Sequence, residues 1–424
     1  MRTEGVRIMK REDMELMLPA GSWESLAAAL QTGCDAVYFG VGNLNMRSES
    51  SANFSPDDLA KIAETCRRQQ VKTRMALNTI IYDEDVDAMR RSIRAAKQHG
   101  IDAVIASDMA AILCAREEGM PVHASTQLNI ANRQAVRFFA GYCDVMVLAR
   151  ELTLEQVSAI AQFIESERIT GPSGKPAVIE MFCHGALCMS VSGKCYLSLH
   201  HYNRSANRGR CVQVCRRAYS LTDNETGRRL EVDHPHLLSP KDLCTVTFLD
   251  RMAAAGVRVF KVEGRARSPE YVKTVGQCYH EALTACCEGG YHDQAKEQWL
   301  KRLGQVFNRG FWDGYYLGKT MSELTDSAGS KATVKKEYVA LCSNYFAKIG
   351  VGEFLMQAGT LSAGDTVLII GNTTGVVEMK VAEIRVDMQA AKQAAKGEIF
   401  SMPVTQPIRR GDKLYVQVAA DNGQ

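Results

Sequence analysis

The sequence predicts a mixed α/β protein, with a (β/α)8 TIM-like barrel followed by a small all-β barrel domain. Over the first 330 residues, short apolar runs alternate with amphipathic helical patterns, which is the order expected of a parallel sheet. Eight such runs occur, the strand count of a TIM barrel. An open doubly wound sheet is the alternative, but the segment LPAGSWES after the first run lacks the glycine fingerprint of dinucleotide-binding folds.

The barrel elements follow in chain order and place the barrel domain at residues 14–330. Helical patterns such as SWESLAAALQTG separate the strands, and Ser22, Ser55 and Thr153 are suitable N-cap residues before three of them. The eight strands are expected at Glu15–Pro19, Ala36–Gly40, Lys72–Asn78, Ala103–Ser107, Val122–Gln127, Val145–Ala149, Ala177–Phe182 and Val257–Glu263.

The connection between the seventh and eighth strands, about residues 183–257, is far longer than an ordinary loop. We interpret it as a cysteine-rich insertion at the C-terminal end of a barrel strand, where such folds place their chemistry. The polar segment 319–334 is the expected linker, and residues 335–424 are the expected β domain. There, runs such as TVLIIG and DKLYVQV alternate with Gly-Asp and Gly-Asn turns.

Composition narrows the classes of function. The net charge is only +3 over 424 residues, so binding to nucleic acid would require a local basic patch. There is no apolar run of about 18 residues and no export signal at the N-terminus, so we expect a cytoplasmic protein with no membrane span. The 14 cysteines should then be reduced, and clustered ones are candidate metal ligands or redox groups.

Five thiols in the insertion suggest a metal site. They are Cys188, Cys195, Cys211, Cys215 and Cys244, and they stand in glycine-rich, irregular sequence. Thiolates favour zinc or iron–sulfur clusters, and the absence of any CxxC pair favours a 4Fe–4S cluster over a zinc knuckle. The alternative is that these residues are buried, inert thiols.

The insertion is also basic. Residues 181–222 contain no Asp or Glu, and aromatic residues stand between the basic ones. This composition suits an anionic ligand, an RNA backbone or a stacked base, although the positive charge could instead offset anionic thiolates. The candidate RNA-binding residues are Lys194, Arg204, Arg208, Arg210, Arg216 and Arg217.

Polar residues also crowd the predicted C-terminal ends of the barrel strands. Arg150 or Arg265 could clamp a carboxylate substrate, and Glu180 or Glu263 could act as an acid or base. Salt bridges across the barrel mouth are the alternative for each of them. No HExxH or GxSxG motif is present. The remaining candidates for substrate binding are Asn78, His123, Gln127 and His184.

The segment EMFCHGALCMSVSGKCYLS, residues 180–198, resembles the signature of the collagenase-like peptidase family U32. The segments LPAGSWESLAAALQTGCDAVYFG and KVEGRARSPEYV are also similar to that family, so the resemblance covers roughly residues 14–330. The C-terminal β domain resembles the family's appended barrel. The fixed positions of the signature are filled by Glu180, Phe182, Gly185, Ala186, Leu187, Cys188, Gly193, Cys195, Leu197 and Ser198.

The resemblance implies an activity other than the one in the family's name. The better understood members carry a 4Fe–4S cluster and hydroxylate their substrates without oxygen. The appended β domain is most similar to the tRNA hydroxylation protein branch, which acts on wobble uridine with prephenate as the implied hydroxyl donor. Alternatives are hydroxylation of ribosomal RNA and a true collagenase-like peptidase.

The resemblance also implies partners and ligands. The expected partners are tRNA, a small carboxylate donor and a redox or assembly partner, with no membrane. Carried over to this sequence, the cluster ligands fall on Cys188, Cys195, Cys211 and Cys244, and Cys215 is the substitute for the fourth.

Overall fold

The computed structural model describes residues 10–230, 235–319, 321–327 and 329–420. Eight parallel strands form a closed barrel, because the last of them pairs with both the first and the seventh. The predicted TIM-like barrel is therefore confirmed. The barrel strands are β1 (Glu15–Ala20), β2 (Ala36–Gly40), β3 (Lys72–Leu77), β4 (Ala103–Ala106), β5 (Val122–Ala124), β6 (Val145–Val147), β7 (Val178–Ala186) and β11 (Val259–Val262).

Seven of the eight barrel strands differ from their predicted bounds, and the differences at β5 and β7 have identifiable causes. β5 is shorter than predicted because Thr126–Leu128 turn into a short 3-10 helix. β7 continues beyond Phe182 because its end pairs with an antiparallel strand from the insertion, β10 (Asp242–Cys244). That strand gives the end of β7 a second set of backbone hydrogen-bond partners.

Helices surround the barrel, and two begin as predicted. Ser22 and Thr153 cap α1 and α6, and each accepts a hydrogen bond from a backbone N–H of the first turn. Ser55 instead precedes a 3-10 turn, Pro56–Asp58, which leads into α2. Within the described residues, no helix combines the length and apolar character needed to cross a membrane. The helices are α1 (Trp23–Leu30), α2 (Leu59–Arg68), α3 (Val86–Gln98), α4 (Met109–Glu117), α5 (Arg133–Ala140), α6 (Leu154–Ser166), α7 (Leu197–Tyr202), α8 (Leu249–Ala254), α9 (Pro269–Glu288) and α10 (Asp293–Gln305).

The barrel strands are covered on both faces. Met17, Tyr38 and Val259 pack together in a small cluster between the strands. Neighbouring residues such as Leu16 and Leu18 belong to the large core that includes the surrounding helices. Burial on both faces explains why these strands appear in the sequence as continuous apolar runs rather than as an alternating pattern.

The insertion folds back onto the loops that follow β2 and β3. Gly209 has a φ of +78°, and a Cβ at this position would lie 2.1 Å from the Asn45 carbonyl oxygen. Only glycine permits this close approach. The neighbouring Arg208 forms an ion pair with Asp85, in the segment that follows β3. Besides α7 and β10, the insertion contains the short hairpin β8 (Leu221–Thr222) and β9 (Arg229–Leu230), and its residues 231–234 lie outside the described ranges.

The C-terminal region is antiparallel β structure, as the sequence predicts. Its strands are β13 (Val334–Phe346), β14 (Val351–Met356), β15 (Thr360–Ser362), β16 (Thr366–Gly371), β17 (Gly375–Lys380), β18 (Ile384–Val386), β19 (Gln389–Ala391), β20 (Gln393–Ala395), β21 (Ile399–Pro403) and β22 (Lys413–Ala419), and β12 (Phe311–Trp312) belongs to the barrel sheet. The main sheet has the order β17-β16-β22-β13-β14-β21-β18-β19, and β15 pairs with β20.

The described part of the predicted linker is packed against the insertion. The Lys241 backbone N–H donates to the Glu323 carbonyl at 2.9 Å, and the Thr325 N–H donates to the Ser239 carbonyl at 2.8 Å. Thr325 is buried. Backbone groups of this segment therefore form hydrogen bonds with backbone groups of the insertion, so this part of the predicted linker is packed against the barrel domain.

The β domain contacts the barrel through α1. Ala28 packs with Leu368 and Val376 in a small apolar cluster. Beside it, the Gln31 side chain donates to the Thr374 carbonyl at 2.9 Å and accepts from the Val376 N–H at 3.0 Å. One amide side chain thus satisfies two backbone groups of the other domain.

Replacing Gln31 with alanine should weaken this contact. Val376 is 1% exposed, so its N–H would lose its partner in a buried position. We expect the free energy of unfolding to fall by about 1–3 kcal/mol, measured by denaturant titration. Gln98→Ala, at an exposed helix end, is the matched control and should change it little. Equal stability of the two variants would contradict this account.

Candidate active site

A cavity of about 260 Å³ lies between the C-terminal ends of the barrel strands and the insertion. In TIM barrels, this end of the strands is where active sites are found. Residues from several strand ends and from the insertion therefore meet around one volume. The predicted site residues that line it are Asn78, Gln127, Arg150, Cys188, Cys195, Cys211, Arg216, Glu263 and Arg265.

Four thiols line this cavity, namely Cys188, Cys195, Cys211 and Cys215. Cys188 is exposed, and the other three are half-buried. Burial raises the pKa of Cys215, and the neighbouring thiols of Cys188, Cys211 and Cys195 add to the rise. Cys215 is therefore within electrostatic range of the other three thiols.

The structure does not bring Cys244 to the cavity. Cys244 lies on β10 opposite His184 of β7, and its side chain is buried. The Tyr279 hydroxyl donates to its sulfur at 3.9 Å, and burial raises its pKa to about 11. Pairing with β7 directs this thiol into the core beneath the site. Cys215, the substitute candidate, is the fourth thiol at the cavity.

The four thiols form a donor set that suits an iron–sulfur cluster. Across the described ranges, no three His, Cys, Asp or Glu side chains are close enough together to hold a single metal ion. Four thiolates are the ligand type and number that hold an iron–sulfur cluster, and these four line one cavity.

Hydrogen bonds fix the loops that carry these thiols. Arg216 donates to the Leu187 carbonyl at 2.6 Å, next to Cys188. The Ser198 hydroxyl accepts from the Val212 N–H at 3.1 Å, next to Cys211. Arg216 was a predicted RNA-binding residue, but its guanidinium is occupied in holding the insertion together.

Positive charge exceeds negative charge around the cavity. Glu263 is the one carboxylate among its described lining residues, and Glu180 and Asp242 contact lining cations from behind. Cations therefore outnumber nearby carboxylates by seven to three. The seven are Arg47, Arg150, Arg216, Lys261, Arg265, Arg267 and Arg309.

Glu263 is held by these cations. Its Oε1 accepts from Arg47 Nη2 at 2.9 Å and from Arg47 Nε at 3.3 Å. Burial by itself would raise the pKa of Glu263, but the charges of Arg47, Arg150 and Arg265 lower it to about 2. The carboxylate is thus ionised near neutral pH and is a poor proton donor. The geometry favours the salt-bridge alternative for this residue.

Arg150 and Arg265 keep unused hydrogen-bonding capacity. Arg150 donates to the Ala186 carbonyl at 3.1 Å, and Arg265 donates to Asn45 Oδ1 at 2.9 Å. The Nε atoms of both arginines are buried and have no hydrogen-bond partner in the described part of the chain. Buried polar groups are normally satisfied, so both side chains suit the binding of an anionic ligand.

Glu180 lies inside the barrel, below the cavity. Lys261 Nζ donates to its Oε1 at 2.7 Å, and His123 Nδ1 lies 3.2 Å from its Oε2. Burial raises the pKa of Glu180, but Lys261 and His123 lower it to about 2. Burial, together with Arg74, lowers the pKa of His123. Neither Glu180 nor His123 lines the mouth cavity, and His123 faces a separate cavity at the other end of the barrel.

His184 is also outside the lining of the mouth cavity. It is buried beside Tyr279, whose hydroxyl lies 3.3 Å from its Nδ1, and beside the ring of Phe311. Burial lowers its pKa to about 3, so the imidazole is neutral. The prediction that it binds substrate does not fit this position, because β7 extends further than expected and carries the residue into an aromatic cluster.

Two neutral amides complete the predicted part of the site. Asn78 Oδ1 accepts from the Met46 N–H at 3.1 Å, and Gln127 accepts from the Ser125 hydroxyl. Both side chains line the cavity. They could orient a ligand by hydrogen bonding without adding charge.

Acidic residues of the barrel loops neutralise part of the insertion's charge. Glu49 pairs with Arg204 at 3.2 Å and with Arg210 at 2.6 Å. Arg208 pairs with Asp85 and is 21% exposed, so it holds the insertion on the barrel and is not free for RNA. The predicted RNA-binding residues that stay exposed are Lys194, Arg204, Arg210 and Arg217.

Several apolar and aromatic side chains are exposed on the part of the insertion that carries the thiols. Tyr196 is 75% exposed, and Met189, Val191 and Tyr202 are each exposed by more than 40%. The Arg217 guanidinium lies 5.2 Å from the Tyr202 ring. Exposed aromatic rings beside cations suit the stacking of unpaired bases.

Sequence reasoning did not select Tyr38, Arg47 and Lys261, which also line the cavity. Lys261 gave a usable signal, because it stands between Phe260 and Val262 in a buried strand where a charge needs a partner. Arg47 gave none, because it lies in an irregular loop and meets Glu263 only through the fold.

Two relatives differ in the activity their names state. The chain is 53% identical over 407 residues to a protein named "Collagenase" from Porphyromonas gingivalis, covering 96% of this chain and 98% of the relative. It is 30% identical over 348 residues to "tRNA hydroxylation protein P1" of Bacillus subtilis, covering 80% of this chain and 79% of the relative.

A third relative is the "23S rRNA 5-hydroxycytidine C2501 synthase" of Escherichia coli, 38% identical over 277 residues. That match covers 65% of this chain and 40% of the relative. The model of "Peptidase family U32" matches residues 21–326, which contain barrel strands β2 to β7 and β11, the insertion and the residues that line the thiol-lined cavity. The chain therefore belongs to peptidase family U32.

Proposed function

We propose that this chain is an iron–sulfur enzyme that hydroxylates the wobble uridine of tRNA without oxygen, with prephenate as the hydroxyl donor. The observation that carries the proposal is the meeting of four thiols and an excess of cations around one small cavity. Relatives named for tRNA and rRNA hydroxylation support the reaction class.

Cys188, Cys195, Cys211 and Cys215 would hold a 4Fe–4S cluster at the inner face of the insertion. When bound, such a cluster would supply one-electron redox chemistry beside the cavity. Hydrogen bonds from Arg216 and Ser198 hold the backbone next to two of these thiols. The site is thus preorganised by the chain itself.

Arg150 and Arg265 would bind the carboxylate donor. Each of these arginines has a buried Nε without a partner among the described residues, so together they could hold one of the two carboxylates of prephenate. The thiolates of a cluster would offset only part of the local positive charge, so a dianion remains favourable. Glu263 would orient Arg47 and not transfer protons, because its pKa is about 2.

The RNA would meet the rim of the cavity. Lys194, Arg204, Arg210 and Arg217 are exposed on the insertion, close in sequence to residues that line the cavity, and could contact phosphates. Tyr196, 75% exposed next to Cys195, could stack on an unpaired base. An unpaired base is needed, because a modification enzyme cannot reach the reactive edge of a stacked pair.

A collagenase-like peptidase is the second candidate, favoured by the name of the 53% identical relative. Peptide hydrolysis needs a base that activates a nucleophile or water. No histidine is among the described lining residues, and Glu263 is held as a carboxylate of low pKa. The charges of the cavity thus favour anion binding over hydrolysis.

Cysteine variants test the cluster. Each of four anaerobically purified variants should lose iron and the absorption at about 400 nm, because each lacks one ligand of the cluster. The variants are Cys188→Ala, Cys195→Ala, Cys211→Ala and Cys215→Ala. Cys244→Ala should keep both, as should Cys143→Ala, a buried control outside the cavity. Full iron in Cys215→Ala with loss in Cys244→Ala would reverse the ligand assignment. One zinc per wild-type chain would contradict the cluster.

Salt dependence tests the rim. Replacing Lys194 and Arg210 with glutamine should weaken tRNA binding and reduce the slope of log K against log salt by about 0.7 per lost phosphate contact. Lys175→Gln, at an exposed lysine outside the insertion, should leave the slope unchanged. An unchanged slope in the double variant would show that these residues do not contact RNA.

Nucleoside analysis tests the reaction. Deleting the gene should remove hydroxylated wobble uridine from digested tRNA, measured by mass spectrometry. A gene with Arg265→Met should fail to restore it, whereas Lys175→Met should succeed. The purified protein should leave gelatin intact. Loss of hydroxycytidine from 23S rRNA instead would favour the rRNA alternative, and unchanged nucleosides with gelatin cleavage would restore the peptidase.

A further inference from the structure

A buried chain of charged and polar side chains runs along the inside of the barrel to the floor of the mouth cavity. Arg74 Nε donates to His123 Nε2 at 3.1 Å, so His123 must present its Nδ1–H to Glu180. Glu180 in turn accepts from Lys261 Nζ at 2.7 Å. At the far end, Arg74 contacts Glu15 at 3.5 Å.

Packing alone does not account for this chain. Glu180 is fully buried, and the Arg74 and Lys261 side chains are 7% and 5% exposed. Burying such charges costs free energy, and apolar residues of similar volume would often stabilise a core equally well or better. The chain is also a poor path for protons, because the arginine within it does not give up its proton. Its remaining effect is to fix the position and charge of the last group, Lys261.

Lys261 has unused donors at the cavity floor. An ammonium group carries three N–H bonds, and Glu180 is the hydrogen-bond acceptor found for it within the described ranges. Lys261 lines the cavity. Its Nζ lies 4.7 Å from the centre of the Tyr38 ring and 5.4 Å from that of Phe182.

The rings of Tyr38 and Phe182 also lie next to Arg265 and Arg150, the two arginines whose Nε atoms have no hydrogen-bond partner in the described part of the chain. The Arg150 guanidinium lies 3.7 Å from the Phe182 ring centre, and the Arg265 guanidinium lies 5.7 Å from the Tyr38 ring centre. Three cations are therefore grouped around two aromatic side chains. Like charges in one site repel one another. Glu263, beside the two arginines, and Glu180, beside Lys261, offset part of this repulsion, and an anionic ligand would offset more of it.

We propose that Lys261 forms a second anion subsite at the floor of the cavity, so that the site binds a molecule with two separated anionic groups. One group would meet Arg150 and Arg265, and the other would meet Lys261. The identity of the donor as prephenate rests on the proposed function. The new element is Lys261, which would bind the second carboxylate of the donor.

Binding to the anaerobically purified, iron-loaded protein tests the subsite by calorimetry with two probes. Prephenate is the dianion, and phenylpyruvate is a monoanion of similar size. Lys261→Met should weaken prephenate binding about 10- to 100-fold, the loss expected for one charged hydrogen bond, and should change phenylpyruvate binding little. Lys261→Arg should recover part of the loss, and Lys175→Met is the matched control at an exposed lysine.

The outcomes separate the subsite from the proposed function. If Lys261→Met binds prephenate as tightly as the wild type does and Arg150→Met binds it more weakly, Lys261 is not an anion subsite, although prephenate remains the proposed donor. If the wild type does not bind prephenate but binds succinate, another dianion, and Lys261→Met weakens that binding, the anion subsite is supported and prephenate is not the donor. A parallel loss of both probes in a Lys261→Met protein of unchanged thermal midpoint would overturn the two-group model.

Discussion

The excess of positive charge at the barrel mouth is the constraint on which the site depends. Grouped cations repel one another and lose hydration on burial, so they persist only beside anions. Glu263, Glu180 and Asp242 supply three carboxylates against seven cations. Thiolates of the insertion and an anionic ligand would supply the rest. If a cluster is bound, the thiolates of the cysteine-rich insertion would complement the arginine-rich mouth electrostatically.

The same charges decide what the carboxylates can do. An acid that transfers protons near neutral pH needs a pKa close to that pH, and burial usually raises the pKa of a catalytic carboxyl group. At Glu263 and Glu180, neighbouring cations reverse that effect and hold both pKa values at about 2. These residues are therefore fixed anions that position Arg47 and Lys261. The site is organised for binding and orienting charge.

The features that could be predicted from the sequence are those set by local pattern. The barrel strands follow from apolar runs, and Arg150 and Arg265 reach the cavity because they follow strand ends that meet at one edge. The predicted site residues that the structure places away from the cavity have partners that are distant in sequence. Cys244 is drawn into the core by pairing with β7, and Arg208 is neutralised by Asp85, which is 123 residues away. Neither contact could be predicted from the residues next to Cys244 or Arg208 in the sequence.

The size of the cavity bears on the choice between the two activities named among the relatives. Sequence identity measures shared fold, whereas the substrate is decided by the residues of the site. A volume of about 260 Å³ suits one small ligand, and an extended peptide would need a longer, open cleft. A macromolecular substrate can therefore present only one group to the interior while the rest stays at the rim. An unpaired nucleotide would fit this arrangement, because its base could stack on the exposed Tyr196 ring while its phosphates meet the exposed cations of the insertion.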